Sequence, residues 1–365
     1  MDTQPLMIMK GRCKYSKLFW LPVMWWMLLE SACERRPLDD DELPRAASIH
    51  VRIDWSRSGL IPASAKDPDV HRVSIRFFPK SDDMPVFDLF LEGNVTEGTI
   101  LVPIGRYSVI VFNESVDDIA FWQDGITFTD ANSYSKFAAN AIPLPDAKRK
   151  ELFPFYQPGS GERIIADPIP LASWSLDDFE VTEGMVLVSH GEKSADYLSS
   201  EENDMLDALI NVVMRALTRP VNVTAQIGNL VSSHINYLAM KGLANKVYMA
   251  SGLTTQSPST CLFTLNRRKY DADGKNGMAG ATFLSFGRTP GSGNEKESYL
   301  IAGNVLFITG ELYKPTPPLL FDVTGQVLLN YSDKMSIDVK ISYNLPFVEG
   351  GIGVDDWEDD VYTLK

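Results

Sequence analysis

The sequence predicts a mainly β protein of two sandwich-like domains with one or two short helices. Apolar residues alternate with polar ones in many short segments, which is the period-two pattern of half-buried strands. Glycine and proline separate these segments, as they do in hairpins and strand connections. The chain has 365 residues, which is enough for two domains that each bury a core. Together the three observations favour a two-domain β architecture.

An export signal is predicted over residues 1–32. Basic side chains precede an apolar run at 18–29, and small residues follow that run, which is the order of a signal peptide. The run is shorter than the roughly 20 apolar residues of a membrane-spanning helix. Cys33 comes next and resembles the lipidated cysteine of bacterial lipoproteins, although Glu30 stands where that pattern has an apolar side chain. We expect lipidation of Cys33; the alternative is an ordinary cleaved signal beside an incidental cysteine.

Residues 33–45 predict a flexible tether, because they are charged and contain prolines. A first β-domain is predicted over 46–190. Its proline-rich segment 140–175 predicts a long irregular excursion over the surface. The strand candidates of this domain are short apolar, β-branched or aromatic runs, which lie at 49–55, 73–77, 86–91, 99–102, 107–112 and, as a closing pair, within 179–188.

The segment 191–217 predicts a connecting helix. Ser199 and the acidic residues after it suit a helix N-terminus. Apolar residues from Met205 to Leu217 then recur at helical spacing, and Pro220 ends the run.

A second β-domain is predicted over 218–365. A short helix is expected within it at 229–242, where Gly242 has the position of a C-terminal glycine. Alternation is strictest in the last long strand candidate, and the full set lies at 221–227, 247–250, 261–265, 281–286, 299–309, 319–323, 335–343 and 361–364.

Composition and motif spacing argue against several function classes. The net charge of −14 makes nucleic acid an unexpected partner, since phosphate binding needs basic patches. The sequence contains no Cys-x-x-Cys, His-Glu-x-x-His, Gly-x-Ser-x-Gly or phosphate-loop spacing. Cys261 is interpreted as a small buried apolar residue rather than a nucleophile. We therefore expect no enzyme activity and no cofactor.

One loop is a weak candidate for a metal site. Asp271, Asp273 and Asn276 carry oxygen atoms at the spacing of a Ca²⁺ loop for a few residues, but Thr282 stands where the bidentate glutamate would be. Asp-Gly and Asn-Gly are also strong hairpin signals. A hairpin turn is the preferred interpretation, and an ion site is the alternative.

A glycan-binding module is a second functional hypothesis. Exposed aromatic side chains in or near the proline-rich excursion would stack on sugars. The alternative is that they anchor the loop onto the sandwich by apolar burial. The residues concerned are Trp122, Tyr134, Phe153, Phe155 and Tyr156.

Four segments, taken in order, resemble Bacteroidetes fimbrillin-like lipoproteins that contain a domain of unknown function. They are the start at Cys33 after the signal, the Gly105-x-Tyr107 motif with its apolar strand and Asn113, the segment 220–252, and the acidic ending at 354–359. The resemblance implies two transthyretin-like β-sandwich domains on a lipid-anchored protein of the outer membrane. It implies a pilus subunit, anchor, tip or adhesin that binds other fimbrial subunits by strand addition. Host or bacterial glycans are the other partners considered.

The resemblance also implies proteolysis after an arginine near the N-terminus, which opens a groove for a donor strand. Arg45 lies in the predicted tether, where a protease can bind an extended chain. Cleavage there would separate the subunit from Cys33, whereas an intact tether would keep an anchor or tip on the membrane. Residues 34–44 are too polar and proline-rich to form a strand that cleavage would remove. The sequence therefore favours an uncleaved accessory or anchor subunit.

Overall fold

The computed structural model describes fourteen stretches of the chain. They are residues 45–60, 72–92, 95–114, 125–154, 156–189, 208–228, 233–265, 267–272, 276–290, 299–309, 312–315, 319–330, 336–344 and 361–363. The chain divides into two compact units, 1–45 and 46–365, and the elements given below belong to the second.

Strands dominate the described residues. The strands of the first half are β1 (Ala46–Arg57), β2 (Arg72–Pro79), β3 (Phe87–Glu92), β4 (Glu97–Pro103), β5 (Gly105–Phe112), β6 (Ile126–Thr129), β7 (Ala138–Ala141), β8 (Ile164–Ile165), β9 (Ala172–Val181) and β10 (Ala208–Ala216). Those of the second half are β11 (Arg219–Gly228), β12 (Ser233–Ala244), β13 (Lys246–Tyr248), β14 (Pro258–Phe263), β15 (Arg267–Tyr270), β16 (Gly277–Ser285), β17 (Leu300–Thr309), β18 (Leu312–Pro315), β19 (Leu319–Asp322), β20 (Ile337–Asn344) and β21 (Val361–Thr363). The helices are α1 (Asp146–Leu152), α2 (Glu183–Ser189) and α3 (Thr324–Asn330).

The first sandwich comes from one sheet in the order β3-β2-β5-β9-β10-β1-β4. Strands β9 and β10 pair only through Arg215–Ser173 and Ala216–Ala172, so the sheet is joined there at one end. The inward side chains of the strands on either side of this joint meet in a single core. Ile49 and Val51 of β1 lie in that core with no exposed surface, and the alternation that predicted β1 places them there.

The second sandwich packs two separate sheets face to face. One sheet has the order β15-β16-β11-β20 and the other β21-β19-β17-β12-β14-β8. Their inward side chains form the second core, in which Phe263 of β14 stacks on Phe283 of β16 with ring centroids 4.7 Å apart. The predicted mainly β fold with sandwich layers and short helices is therefore confirmed.

Residues 125–165 connect the two sandwiches and are more ordered than the predicted irregular excursion. Strands β6 and β7 form a small sheet with β13 from the second half of the chain. Phe137 from this segment packs against Phe112 on the outer face of the first sheet, with centroids 5.6 Å apart. Further along, β8 pairs in parallel with β14. The segment thus contributes its buried side chains to both halves.

Two predicted helices are wrong, because the described residues in both places form strands. In the segment 191–217, residues 208–216 form β10, which pairs in parallel with β1. The predicted helix at 229–242 overlaps β12, a central strand between β17 and β14. Both strands carry apolar side chains on two faces, so alternation is hidden and the run imitates helical spacing. In β12, Leu238 faces the second core while Tyr237 packs on the other side.

The predicted closing strand pair at 179–188 is also wrong in part. Strand β9 ends at Val181, and the helix α2 follows it. Val186 of this helix packs in the first core. The apolar residues after β9 therefore cover this core from a helix and not from a second strand.

Candidate functional site

Arg45 is exposed and directly precedes β1. The first strand therefore begins at Ala46, three residues earlier than the predicted start at Ile49. β1 lies between two strands, parallel to β10 and antiparallel to β4. A cut after Arg45 would leave this paired strand in place and would remove no strand of the described sheet.

Cys33, the predicted lipidation site, lies outside the described residues, and its role stays a prediction. Within the described stretches, no helix is long and apolar enough to cross a membrane.

The Asp271 loop joins two antiparallel strands, β15 and β16. The backbone N–H of Asp271 donates to the carbonyl oxygen of Asn276 at 2.9 Å, which closes the connection as a hairpin. The carboxylate of Asp271 accepts a 3.4 Å hydrogen bond from the side-chain amide of Gln226. Asp273 lies outside the described residues. Among the residues that are described, no group of three His, Cys, Asp or Glu side chains is arranged to hold a metal ion.

Cys261 is buried in the second core, 1% exposed. Burial strongly raises the pKa of its thiol, and the charge of Asp167 adds to the effect. A protonated, inaccessible thiol has no nucleophilic character, which agrees with the interpretation of Cys261 as a packing residue.

The aromatic side chains proposed for glycan stacking are largely buried where they are described. Phe153 and Tyr156 pack around Tyr237, with Phe153 and Tyr156 only 7% and 4% exposed. Tyr134 is half-buried against Phe78, with ring centroids 5.7 Å apart. A buried ring cannot stack on a sugar, so the hypothesis is wrong for Phe153 and Tyr156. Trp122 and Phe155 lie outside the described residues.

Glu162 is the centre of a polar cluster that the sequence did not reveal. Its Oε1 accepts hydrogen bonds of 2.6 Å from the hydroxyls of both Tyr156 and Thr260, and Lys241 lies 3.2 Å away. Its Oε2 accepts a 2.8 Å bond from the backbone N–H of Gly159. Burial alone would raise the pKa of Glu162, but these donors and the lysine outweigh burial and hold it at about 2.

The cluster links the proline-rich segment to the second sandwich by hydrogen bonds and an ion pair. Glu162 and Tyr156 belong to the loop after α1, whereas Thr260 and Lys241 belong to β14 and β12. Burial and the nearby carboxylate also raise the pKa of Tyr156. These groups bind one another, so the arrangement stabilises the loop.

The Gly105-x-Tyr107 motif forms a structural corner. The Tyr107 hydroxyl donates to the carbonyl oxygen of Pro103 at 2.9 Å. A Cβ at Gly105 would lie 2.9 Å from that hydroxyl, so the absent side chain makes room for the ring. Asn113 continues the motif by donating to Pro170 O at 3.0 Å and accepting from Ala172 N at 2.7 Å. The motif therefore shapes the first sandwich.

Sheet edges are the surfaces that strand addition would use. In the described part of the chain, β3 and β4 end the first sheet and β15 and β20 end the four-stranded sheet. Leu101 of β4 is 64% exposed, so this edge combines open backbone groups with an apolar side chain.

A shallow groove of about 430 Å³ lies on the outer face of the four-stranded sheet. Thr282 donates to the Asn222 side-chain oxygen at 2.9 Å, and the Asn222 amide donates to Asp338 at 2.9 Å. These polar groups bind one another across three strands, and the groove has no convergent arrangement for catalysis.

Comparison with known proteins supports the resemblance seen in the sequence. The family model described as a domain of unknown function (DUF5119) matches residues 32–264. A curated protein of Bacteroides ovatus, named as a candidate fimbrium anchoring subunit Fim4B, is 30% identical over 93 residues. That match covers 26% of this chain and 25% of the relative, so the chain spans about a quarter of the length of the curated protein that it matches.

One solved structure shows the same fold. A crystal structure of a candidate adhesin from Bacteroides ovatus superposes with a TM-score of 0.52 at 16% identity, over 87% of this chain and 98% of that one. The fimbrial anchor protein Mfa2 from Porphyromonas gingivalis gives a TM-score of 0.42 at 12% identity, over 82% of this chain and 90% of that one. The first likeness establishes a shared fold, and the second is too distant to do so.

Proposed function

The chain belongs to the DUF5119 family, and from this premise we propose that it is a non-catalytic surface lipoprotein, an accessory or anchor subunit of a fimbrium or a related adhesin. The aligned fimbrium anchoring subunit of Bacteroides ovatus supports the fimbrial role. The relatives are named for anchoring and adhesion and not for catalysis. The described residues add no arrangement of side chains that would perform a reaction.

The observation that carries the anchor role is the position of Arg45. A shaft subunit matured by cleavage would carry a removable strand before the cut, whereas β1 begins directly after Arg45. Ala47 and Ile49 of that strand have no exposed surface, and neighbouring strands pair with both of its edges. Cleavage would therefore detach the chain from Cys33 without opening a groove in the described sheet. An intact tether instead keeps the sandwiches on the membrane.

The proposed organisation follows the sequence. Residues 1–32 are a signal peptide, 33–45 a flexible tether, 46–190 an N-terminal sandwich domain and 218–365 a C-terminal sandwich domain. The segment 191–217 connects them and supplies β10 to the N-terminal sandwich. The partners are the outer membrane, through a lipid on Cys33, and other fimbrial subunits, through addition of a strand at a sheet edge. An acyl anchor holds a protein to a bilayer by burying its methylene groups, about 0.8 kcal/mol for each.

Replacing Cys33 by alanine is expected to abolish lipid attachment. The cysteine thiol is the acceptor of the lipid in this proposal, and alanine has none. Metabolic labelling with palmitate should mark the wild-type chain and not Cys33→Ala, and the matched control Cys13→Ala, which lies within the predicted signal, should label like the wild type. Cells that carry Cys33→Ala should also shed fimbriae into the medium if the chain is their anchor.

Two results would count against the proposal in different ways. Equal labelling of Cys33→Ala and wild type would contradict the lipid anchor alone. If Cys33→Ala loses the palmitate label but its cells do not shed fimbriae, lipidation of Cys33 would be supported and the anchor role would be contradicted.

A further inference from the structure

Strand β20 ends the four-stranded sheet in the described part of the chain. It pairs in parallel with β11, and no described strand lies on its other side. An open strand edge presents unpaired backbone groups that another chain can bind. In β20, some of these backbone groups are already hydrogen-bonded to a side chain.

The side chain of Gln326 occupies the middle of this edge. The backbone N–H of Lys340 donates to Gln326 Oε1 at 2.7 Å, and Gln326 Nε2 donates to the backbone carbonyl of Lys340 at 2.8 Å. In a strand, successive residues direct their N–H and C=O to opposite sides, so these groups face away from β11. The glutamine amide thus takes both hydrogen bonds that the peptide group of a neighbouring strand would make.

Gln326 is held in place by the helix α3, which packs beside β20. Val323 and Val327 flank it and are fully buried in the second core. The backbone N–H of Val327 donates to Val323 O at 3.0 Å. A strand added to β20 would lie about 4.8 Å away, in the space of the Gln326 side chain.

We propose that Gln326 is an edge guard that prevents β20 from pairing with β20 of a second copy of this chain. The strand is suited to such pairing: Ile337, Val339 and Ile341 face the core, and an antiparallel register centred on Val339 sets Asp338 of each copy opposite Lys340 of the other. The inference does not depend on the fimbrial role. If the chain assembles by strand addition as proposed above, that addition uses a different edge, such as β4.

The test compares Gln326→Ala with Gln226→Ala in the full-length chain in detergent. Gln226 is an exposed glutamine on β11 of the same sheet. Its replacement by alanine is the same chemical change as Gln326→Ala, but it does not affect the open edge of β20. For Gln326→Ala at a low protein concentration, where the chain is monomeric, we expect hydrogen exchange at the Lys340 amide to rise about tenfold, as expected for one lost hydrogen bond. Light scattering should show a mass that increases with concentration towards a dimer. Gln226→Ala should match the wild type in both measurements.

A second variant isolates the edge. Proline at position 340 removes the N–H that pairing needs, so Gln326→Ala combined with Lys340→Pro should return to the wild-type mass. Exchange at the Val327 amide reports whether α3 stays folded. An unchanged mass for Gln326→Ala would overturn the proposal. Association that persists in the double variant, or that appears only when Val327 loses its protection, would overturn it as well.

Discussion

Alanine at Gly125 is expected to destabilise the protein by about 3 kcal/mol or more. Gly125 has φ of 70°, in the left-handed region. A Cβ there would lie 2.1 Å from the carbonyl oxygen of Asp167 and 2.8 Å from Pro168 Cα. Both are backbone atoms, so no side-chain rotation relieves the clash, and the segment that connects the sandwiches must shift. Thermal unfolding of the variant measures the loss.

Gly161 provides the matched control. It has a similar φ of 73°, but a Cβ there meets nothing within 4 Å. Gly161→Ala should therefore cost only the backbone strain, about 1 kcal/mol. Equal losses of melting temperature for the two variants would show that the contact of Gly125 with Asp167 is not a structural constraint.

Replacing Glu162 by glutamine is expected to cost about 2–3 kcal/mol at neutral pH. The amide cannot accept from both the Gly159 N–H and the hydroxyls, and Lys241 loses its anionic partner. Chemical denaturation at pH 7 measures the change. Glu151→Gln is the control, because Glu151 is 60% exposed in its pair with Lys148 and should change stability by less than about 0.5 kcal/mol.

The same carboxylate predicts a pH dependence with a defined sign. The pKa of Glu162 falls from its ordinary 4.5 to about 2 on folding, so its contribution is complete above pH 4.5. That contribution, on the order of 3 kcal/mol, is lost as the pH falls from 4.5 towards 2. The stability difference between wild type and Glu162→Gln should shrink over this interval. A difference that is constant from pH 7 to pH 2 would mean that Glu162 is not ionised in the cluster.

The sequence predicted strands that are apolar on one face and missed those that are apolar on both. In β1, apolar and polar residues alternate because one face meets the core and the other meets solvent. In β10, Leu209 and Val213 are apolar yet exposed, at 43% and 41%, so the alternation that marks a strand is absent. Packing beside β1, a contact distant in sequence, decides the structure there.

The candidate sites that depend on local contacts were predictable from the sequence, and those that depend on distant contacts were not. The hairpin at Asp271 depends on residues within one loop, and the sequence predicted it. The cluster at Glu162 combines loop residues with Thr260, which is 98 positions away, and no local spacing indicates such a contact. Gly125 likewise appears in the sequence as an ordinary turn glycine, because the backbone it meets at Asp167 comes from a later segment.

N-terminal sequencing of the protein recovered from the cell surface tests the central claim most directly. The proposed anchor keeps its tether, since β1 follows Arg45 at once and cleavage would only detach the chain from its lipid. The recovered chain should therefore give no N-terminal sequence, because its first residue is a blocked, lipidated Cys33, and digestion should yield a peptide that spans Arg45. A free N-terminus at Ala46 in sheared fimbriae that contain repeated copies of this chain would show instead that it is a cleaved shaft subunit.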